Sequence, residues 1–370
     1  MIDFPYLKDI ARKTPSKIVM LVVDGLGGLP LPETGRSELE TANLPNLDAL
    51  SRRSAAGLTT PVAPGITPGS GPGHTALFGY DPLKYLVGRG VLEALGLGVE
   101  LGDGDVAIRC NFCTVDDTGT IVDRRAGRFP DDQAAALVER LRQIRVDGVS
   151  LSLYQAKGHR FVLVLRGEGL GTDVAETDPG TTGLPPVPAT ALSDGSQRTA
   201  EVVGTFVAAA KSLLSGEAKA NMVLARGYSR IPDWPSMGDA YRLNPAAIAA
   251  YPMYRGLASV LGMEVLATGD TFDDELDTLE SAFARHDFFF IHYKPADAVV
   301  IAGDHSTPAI VAGHSWHPVP LLVHSGLTTG DGVPEFTERA CGMGSIGRIP
   351  ATGVMMLAMA NAGKLQRFGP

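Results

Sequence analysis

Residues 16–25, Ser-Lys-Ile-Val-Met-Leu-Val-Val-Asp-Gly (SKIVMLVVDG), are apolar without a break from Ile18 to Val23 and then stop at a carboxylate. Strict alternation would mark a strand with one wet face. Its absence marks a strand buried on both faces, as in a parallel sheet covered by helices. The run is far too short to cross a bilayer. Asp24 therefore stands at the carboxyl end of a buried strand, where open α/β sheets place their ligands.

Similar runs follow. Residues 298–305 (AVVIAGDH) form a strand ending in Asp304 and His305, and residues 287–293 (DFFFIHY), 263–268 (MEVLAT) and 318–325 (PVPLLVHS) also read as strands. Between them lie helical patterns at 43–57 (NLPNLDALSRRSAAG, with Gly57 past its end), 246–262 (AAIAAYPMYRGLASVLG) and 273–286 (DDELDTLESAFARH). Alternating strands and helices predict an α/β fold with a mostly parallel sheet and helices on both faces.

The middle of the chain differs. Residues 105–116 (DVAIRCNFCTVD), 120–127 (TIVDRRAG), 149–158 (VSLSLYQAKG) and 159–167 (HRFVLVLRG) are strand-like, with a helix at 131–144 (DDQAAALVERLRQI) among them. This α+β character predicts a smaller inserted domain over residues 106–228, with 1–105 and 229–370 forming the core. The Pro-, Gly- and Thr-rich stretch 177–194 reads as a surface connector.

One junction is odd. Residues 287–293 and 298–303 both read as interior parallel strands, yet about four residues separate them, where parallel neighbours need a crossover of roughly a dozen. Either the two are not neighbours, or the chain lacks a stretch near Lys294–Ala298. The second alternative predicts a break in the backbone there.

Composition narrows the function classes. The chain has 370 residues, 44% hydrophobic, with a formal charge of −9 and pI about 5.4. That balance argues against a nucleic-acid partner, and no membrane segment is expected. Three cysteines make no disulfide framework, which points to the cytoplasm. Cys110 and Cys113, in a lone CNFC, read as strand packing.

Residues 67–82 (TPGSGPGHTALFGYDP) hold Ser70 between two glycines. Such a serine is either a loop residue or a nucleophile approached from several sides. Asp24, Asp304 and His305 end strands, and His314 and His317 precede one, so these can converge with Ser70. A carboxylate after a strand is often a turn residue or helix cap, and a lone histidine is often a surface residue. Together, carboxylate and imidazole suit Mn²⁺, Zn²⁺ or Mg²⁺. A metal at Ser70 would favour its alkoxide as a nucleophile. The arginines Arg109, Arg124, Arg125, Arg128, Arg226, Arg230 and Arg255 offer a local anion trap, with Arg109, Arg226 and Arg255 beside apolar runs.

These pieces resemble one family. VVDGLGG, LPNLDAL, TPGSGPGHTALFGYDP, GRGVLEALGLG, AIRCNFCTVD, IVDRRAGR, GDHSTP, HSWHPVP and the terminal FGP are similar to cofactor-independent phosphoglycerate mutases of the archaeal type, in the alkaline phosphatase superfamily. The resemblance runs from about Lys17 to the C-terminus. It implies an alkaline-phosphatase-like core with an inserted lid, and interconversion of 3- and 2-phosphoglycerate through a phosphoserine. It also implies two divalent metal ions and no need for 2,3-bisphosphoglycerate. Mn²⁺ is the expected ion, with Mg²⁺, Co²⁺ or Zn²⁺ as substitutes. By position, Ser70 matches the nucleophile, Asp24, Ser70, Asp304 and His305 the first metal site, and His314 a ligand of the second. His74 either braces the loop or faces the site.

The resemblance also implies an acidic loop and helix before GDHSTP that this chain lacks, at the same odd junction. That segment supplies further ligands of the second metal. Asp297 is either the first of them or the start of the strand. At least two of the insert arginines are expected to face Ser70 when the domains close around a small phosphorylated substrate. A homo-oligomer is compatible with the sequence. Two other functions stay open: a phosphatase or homoserine kinase-like phosphotransferase on the same frame, and a non-catalytic phosphometabolite-binding protein.

Overall fold

The computed structural model, which describes residues 4–269, 271–291, 298–328 and 330–366, places the Ile18–Val23 run as strand β1 inside an eight-stranded sheet. The other strands of that sheet are β2 (Ala55–Thr60), β8 (Pro245–Ala247), β9 (Glu264–Val265), β10 (Phe288–Phe290), β11 (Ala298–Gly303), β12 (Val319–Ser325) and β13 (Gly347–Pro350). Their order is β13-β2-β12-β11-β1-β10-β8-β9. β10 and β11 run parallel to β1, β8 to β10, β9 to β8 and β13 to β2, while β12 is antiparallel to β11 and β2. The α/β architecture with a mostly parallel sheet is thus present. Ile18, Val19 and Met20 are fully buried, as an unbroken apolar run in a covered sheet should be.

The odd junction resolves in part. β10 and β11 are both interior and parallel, but they are not neighbours, because β1 lies between them: Ile18 pairs with Phe288 on one side and Ala298 on the other. The expected backbone break near Lys294–Ala298, and Asp297 with it, fall on residues 292–297, outside the described residues.

Two helix readings need correction. Residues 246–250 open as strand, not helix: Pro245–Ala247 pairs with β10, and the helix starts only at Pro252. Alanine carries little β preference, but Ala246, Ala247 and Ile248 are buried, and Pro252 disfavours helix in the residue before it. The helix at 45–51 ends early, and Gly57 lies inside β2, paired with Leu321 and Gly347.

The chain divides into two compact units, one of residues 1–86, 234–251 and 257–370, the other of residues 87–233 and 252–256. The second contains β3 (Val106–Val115), β4 (Ile121–Asp123), β5 (Ser150–Gln155), β6 (Arg160–Arg166) and β7 (Met222–Ser229). These form an antiparallel sheet in the order β4-β3-β6-β5, with β7 also paired to β3. Ile108, Cys110 and Phe112 of β3 enter its main core with Phe161, Leu163 and Phe206. Cys113, an odd number of residues from Cys110, joins a separate cluster with Val115 and Met222. The two thiols of CNFC therefore face opposite sides of one strand, as packing residues do. The unit also takes in the Arg89–Gly96 helix, whose Gly90 packs so closely on β3 that a Cβ would meet the Ala107 carbonyl oxygen at 2.1 Å.

Candidate active site

In the first unit, β1 and β11 are parallel neighbours with Val23 paired to Gly303. Their ends therefore set Asp24 beside Asp304 and His305. Asp24, Asp304 and His305 each offer a ligand atom, all within 4.8 Å of one another. His305 Nε2 lies 3.2 Å from Asp304 Oδ2 and 3.4 Å from Asp24 Oδ1. It also shares a hydrogen bond of 3.1 Å with Ser70 Oγ. The four residues that sequence placed at strand ends and in the Gly-Ser-Gly loop are brought together.

Local backbone explains the arrangement. Gly25, at φ +74°, turns through the left-handed region and aims its N–H at Asp304 Oδ1, 3.1 Å away. Ser70 is the first residue of the Ser70–Leu77 helix, so its hydroxyl sits at a helix N-terminus, where the dipole favours a phosphate. Pro72 is tolerated in that first turn because its missing N–H would find no intrahelical acceptor there.

His74, one turn on, braces this helix. Its Nδ1 is 2.8 Å from the Ser70 carbonyl oxygen and 3.4 Å from Asp304 Oδ2. Asp304 is wholly buried. Burial works to raise its pKa, but the contact and charge of His74, the charge of His305 and the Gly25 N–H hold it below the ordinary value. Burial holds His305 below its ordinary value against the pull of Asp304. His305 Nδ1 is 2.9 Å from Thr307 Oγ1. An Nδ1–H given to that hydroxyl leaves the Nε2 lone pair for the cluster.

His314 stacks on His305, with ring centroids 3.6 Å apart. Its Nδ1 lies 3.0 Å from the Pro68 carbonyl oxygen, which fixes Nδ1 as the protonated nitrogen in the neutral ring. Backbone pairing of Ser306 with Ser315 ties the two histidine loops together. His317 instead stacks on Trp316 and bonds Ser315 Oγ.

The cluster suits a divalent cation. Among the described residues Asp304 Oδ2 is buried and makes no well-aligned hydrogen bond, although His305 Nε2 and His74 Nδ1 lie 3.2 and 3.4 Å away. Such a carboxylate oxygen beside a second carboxylate and an imidazole is the donor set that such a cation satisfies.

The second unit carries the arginines. Arg109 and Arg160 flank the buried Glu93 carboxylate at 3.7 and 3.6 Å. Burial holds Arg109 below its ordinary pKa despite Glu93, and the charges of Arg160, Arg89 and Arg226 act in the same direction. Arg124 makes a two-point contact with Asp178, at 2.9 and 2.8 Å, and Arg226 joins the same carboxylate at 3.1 Å. Arg125 and Arg128 are exposed. With burial and with Arg160 and Arg109, they depress His159 to about 4. Arg230 donates to the Leu170 carbonyl, and Arg255 lies in the Pro252–Val260 helix. Arg89, Arg160, Glu93, His159 and Asp178 were not singled out in the sequence. Residues 159–167 are continuously apolar from Phe161 to Leu165, so Arg160, like Glu93 and Asp178, carried no signal apart from its charge.

The family model for 2,3-bisphosphoglycerate-independent phosphoglycerate mutase matches residues 51–219, and that of the Metalloenzyme superfamily matches residues 290–361. A Thermus thermophilus protein is 47% identical over 402 positions, covering 99% of each chain, and is named "Probable 2,3-bisphosphoglycerate-independent phosphoglycerate mutase". The chain belongs to this phosphoglycerate mutase family.

Mutases of the same printed name from Deinococcus radiodurans and Thermotoga maritima are 44% and 43% identical, each covering 98% of both chains. The Thermus alignment is longer than the 370 residues here, so that mutase has residues without counterparts in this chain. Among solved structures, a Pyrococcus horikoshii protein superposes with a TM-score of 0.81 at 25% identity, covering 97% of this chain and all of its own. The cofactor-independent phosphoglycerate mutase of Thermoplasma acidophilum gives 0.68 at 28% identity, covering 94% of this chain and all of its own. As a phosphoglycerate mutase of this family the protein is an isomerase of glycolysis acting on a small phosphorylated substrate. Superfamily membership implies dependence on divalent metal, and the family name states independence from 2,3-bisphosphoglycerate. Among the described residues, no helix is long and apolar enough to cross a membrane.

Proposed function

We propose that this mutase interconverts 3- and 2-phosphoglycerate by passing the phosphoryl group through Ser70. The observation that carries the proposal is the 3.1 Å contact of Ser70 Oγ with His305 Nε2, in one cluster with Asp24 and Asp304. Asp24, Ser70, Asp304 and His305 would hold one divalent ion and His314 would help to hold a second, with Mn²⁺ the proposed species. Bound there, the ion supplies Lewis acidity that favours the Ser70 alkoxide and screens phosphoryl charge.

Ser70 Oγ forms a bond to phosphorus as the bond to the substrate oxygen breaks. That oxygen takes a proton, giving glycerate. The glycerate reorients, and its other hydroxyl takes the phosphoryl group back, restoring the Ser70 hydroxyl. No co-reactant is consumed. Arg109, Arg124, Arg125, Arg128, Arg226 and Arg255 supply positive charge for phosphate and carboxylate, Arg124 acting from its pair with Asp178. Residues 106–228 act as the lid that keeps water from the phosphoserine.

The test is a mutase assay with added Mn²⁺, with and without 2,3-bisphosphoglycerate, beside Ser70→Ala. Isomer formation without the bisphosphate, lost in the alanine variant, supports the proposal. Activity of that variant within about tenfold of wild type rules out a phosphoserine. Release of inorganic phosphate in place of the isomer favours the phosphatase alternative.

A further inference from the structure

The sheet of the second unit has a polar island on the face opposite its main core. Residues two apart on a strand share a face, so Arg109 and Asn111 point away from the core that Ile108, Cys110 and Phe112 enter. Directly opposed residues also share a face. Asn111 pairs with Arg160 on β6, and Arg109 pairs with Arg226 on β7. Glu93 lies between Arg109 and Arg160.

Three buried atoms of this island have no hydrogen-bond partner among the described residues: Arg109 Nε, Arg226 Nε and Asn111 Oδ1. Two are donors and one is an acceptor. Asn111 is 6% exposed, so its carbonyl is cut off from bulk water. A buried acceptor without a donor is unfavourable. Here it persists on the same face as three guanidinium groups, none of which supplies it. A ligand with anionic oxygens alone would satisfy the arginines but set a negative oxygen against Oδ1. A ligand carrying a hydroxyl beside its anionic groups satisfies all three atoms.

We propose that Asn111 accepts the hydrogen bond of the substrate's free hydroxyl and so selects phosphorylated hydroxy acids over their deoxy counterparts. This assignment rests on the mutase proposal above. Both phosphoglycerate isomers carry one unphosphorylated hydroxyl, on adjacent carbons, and glycerate carries two. Phosphate and carboxylate oxygens accept from the arginines, and the hydroxyl donates to Oδ1.

The probe is 3-phosphooxypropionate, which is 3-phosphoglycerate without its hydroxyl. Both compounds are titrated calorimetrically into the Mn²⁺-loaded Ser70→Ala protein, where no turnover occurs. The deoxy compound is also used as a competitive inhibitor of the wild-type mutase. The hydroxylated compound is expected to bind about tenfold more tightly. Asn111→Leu should bring that ratio to about one by weakening 3-phosphoglycerate, with the deoxy affinity unchanged. The unliganded Asn111→Leu protein should melt no lower than its parent, because an unpartnered buried acceptor has been removed. A purely structural asparagine would give the opposite result. If the leucine variant does not fold, Asn111→Ala gives the same ratio test. An undiminished ratio in a folded variant, or no preference in the parent, overturns the proposal while mutase activity stands. Failure of the parent to bind 3-phosphoglycerate at all overturns both.

Discussion

Gly73 lies directly against Asp304: a Cβ on Gly73 would come within 2.1 Å of the Asp304 carbonyl oxygen and 2.7 Å of its carbonyl carbon. The helix carrying Ser70 therefore rests on the backbone of the strand end that carries Asp304 and His305, the proposed metal ligands. Gly73→Ala must push the two apart. Overpacking of this kind costs about 1–3 kcal/mol, and a shift of about 1 Å between reacting groups can lower turnover about a hundredfold. Urea unfolding and kcat measure both effects. Gly69→Ala is the stability control, since nothing there lies closer than 3.9 Å to an added Cβ. A Gly73→Ala protein with wild-type turnover would show that this close contact does not set the Ser70 position.

Metal removal should have a thermodynamic signature besides lost activity. Among the described residues Asp304 Oδ2 is buried with no well-aligned hydrogen bond, which a divalent ion would relieve. Metal at a hundredfold excess over its Kd should stabilise the folded protein by about 2.7 kcal/mol. The melting temperature should therefore fall on chelation and recover with Mn²⁺. Asp304→Ala should show no such response, and an equal metal-induced rise in that variant would place the ion elsewhere.

His159 makes stability depend on pH. Burial, then the charges of Arg160, Arg109, Arg125 and Arg128, lower it to about 4. An unfolded histidine titrates near about 6.5. Above that value both states are neutral, and the contribution is fully present. As the pH falls from about 6.5 towards about 4, the unfolded chain binds a proton that the folded chain refuses, so stability is lost. Denaturant midpoints of wild type and His159→Gln across this window should converge as the pH falls. Parallel curves would mean that His159 is as easily protonated folded as unfolded.

Arg124 should matter to the fold of the second unit as well as to substrate. Its partner Asp178 has a side chain 1% exposed, so Arg124→Ala leaves a buried carboxylate short of two donors. The expected loss is about 1–3 kcal/mol. Burial acts to raise the Asp178 pKa, but the hydrogen bond from Arg124, the Gly180 N–H and the charges of Arg124 and Arg226 leave it lowered. The carboxylate therefore contributes stability above about pH 4, the unfolded value, and that contribution disappears as the pH falls further. Asp178→Asn should remove this acid-sensitive component. Arg124→Ala with unchanged stability and weakened substrate binding would assign Arg124 to substrate alone.

Ile18–Val23 and Ala298–Gly303 were legible as buried strands because burial on both faces demands an unbroken apolar run. The positions of Asp24, Asp304 and His305 at strand ends follow directly from those runs. Ser70 was legible because glycine on both sides of a serine leaves room for approach. What the sequence by itself did not carry was adjacency. β1 separates β10 from β11, and no local pattern states which strands pair. Pro245–Ala247 became a strand because a slot beside β10 overrode weak alanine preferences. The meeting of Arg109, Asn111, Arg160 and Arg226 depends on cross-strand register, where a slip of one residue sends every side chain to the other face. Glu93 and Asp178 acquired their partners the same way, from segments distant in sequence. Hydrophobic periodicity determined the strands and placed Asp24, Asp304 and His305 at their ends. Tertiary pairing alone decided which polar side chains meet, because each such contact is made between elements rather than within one.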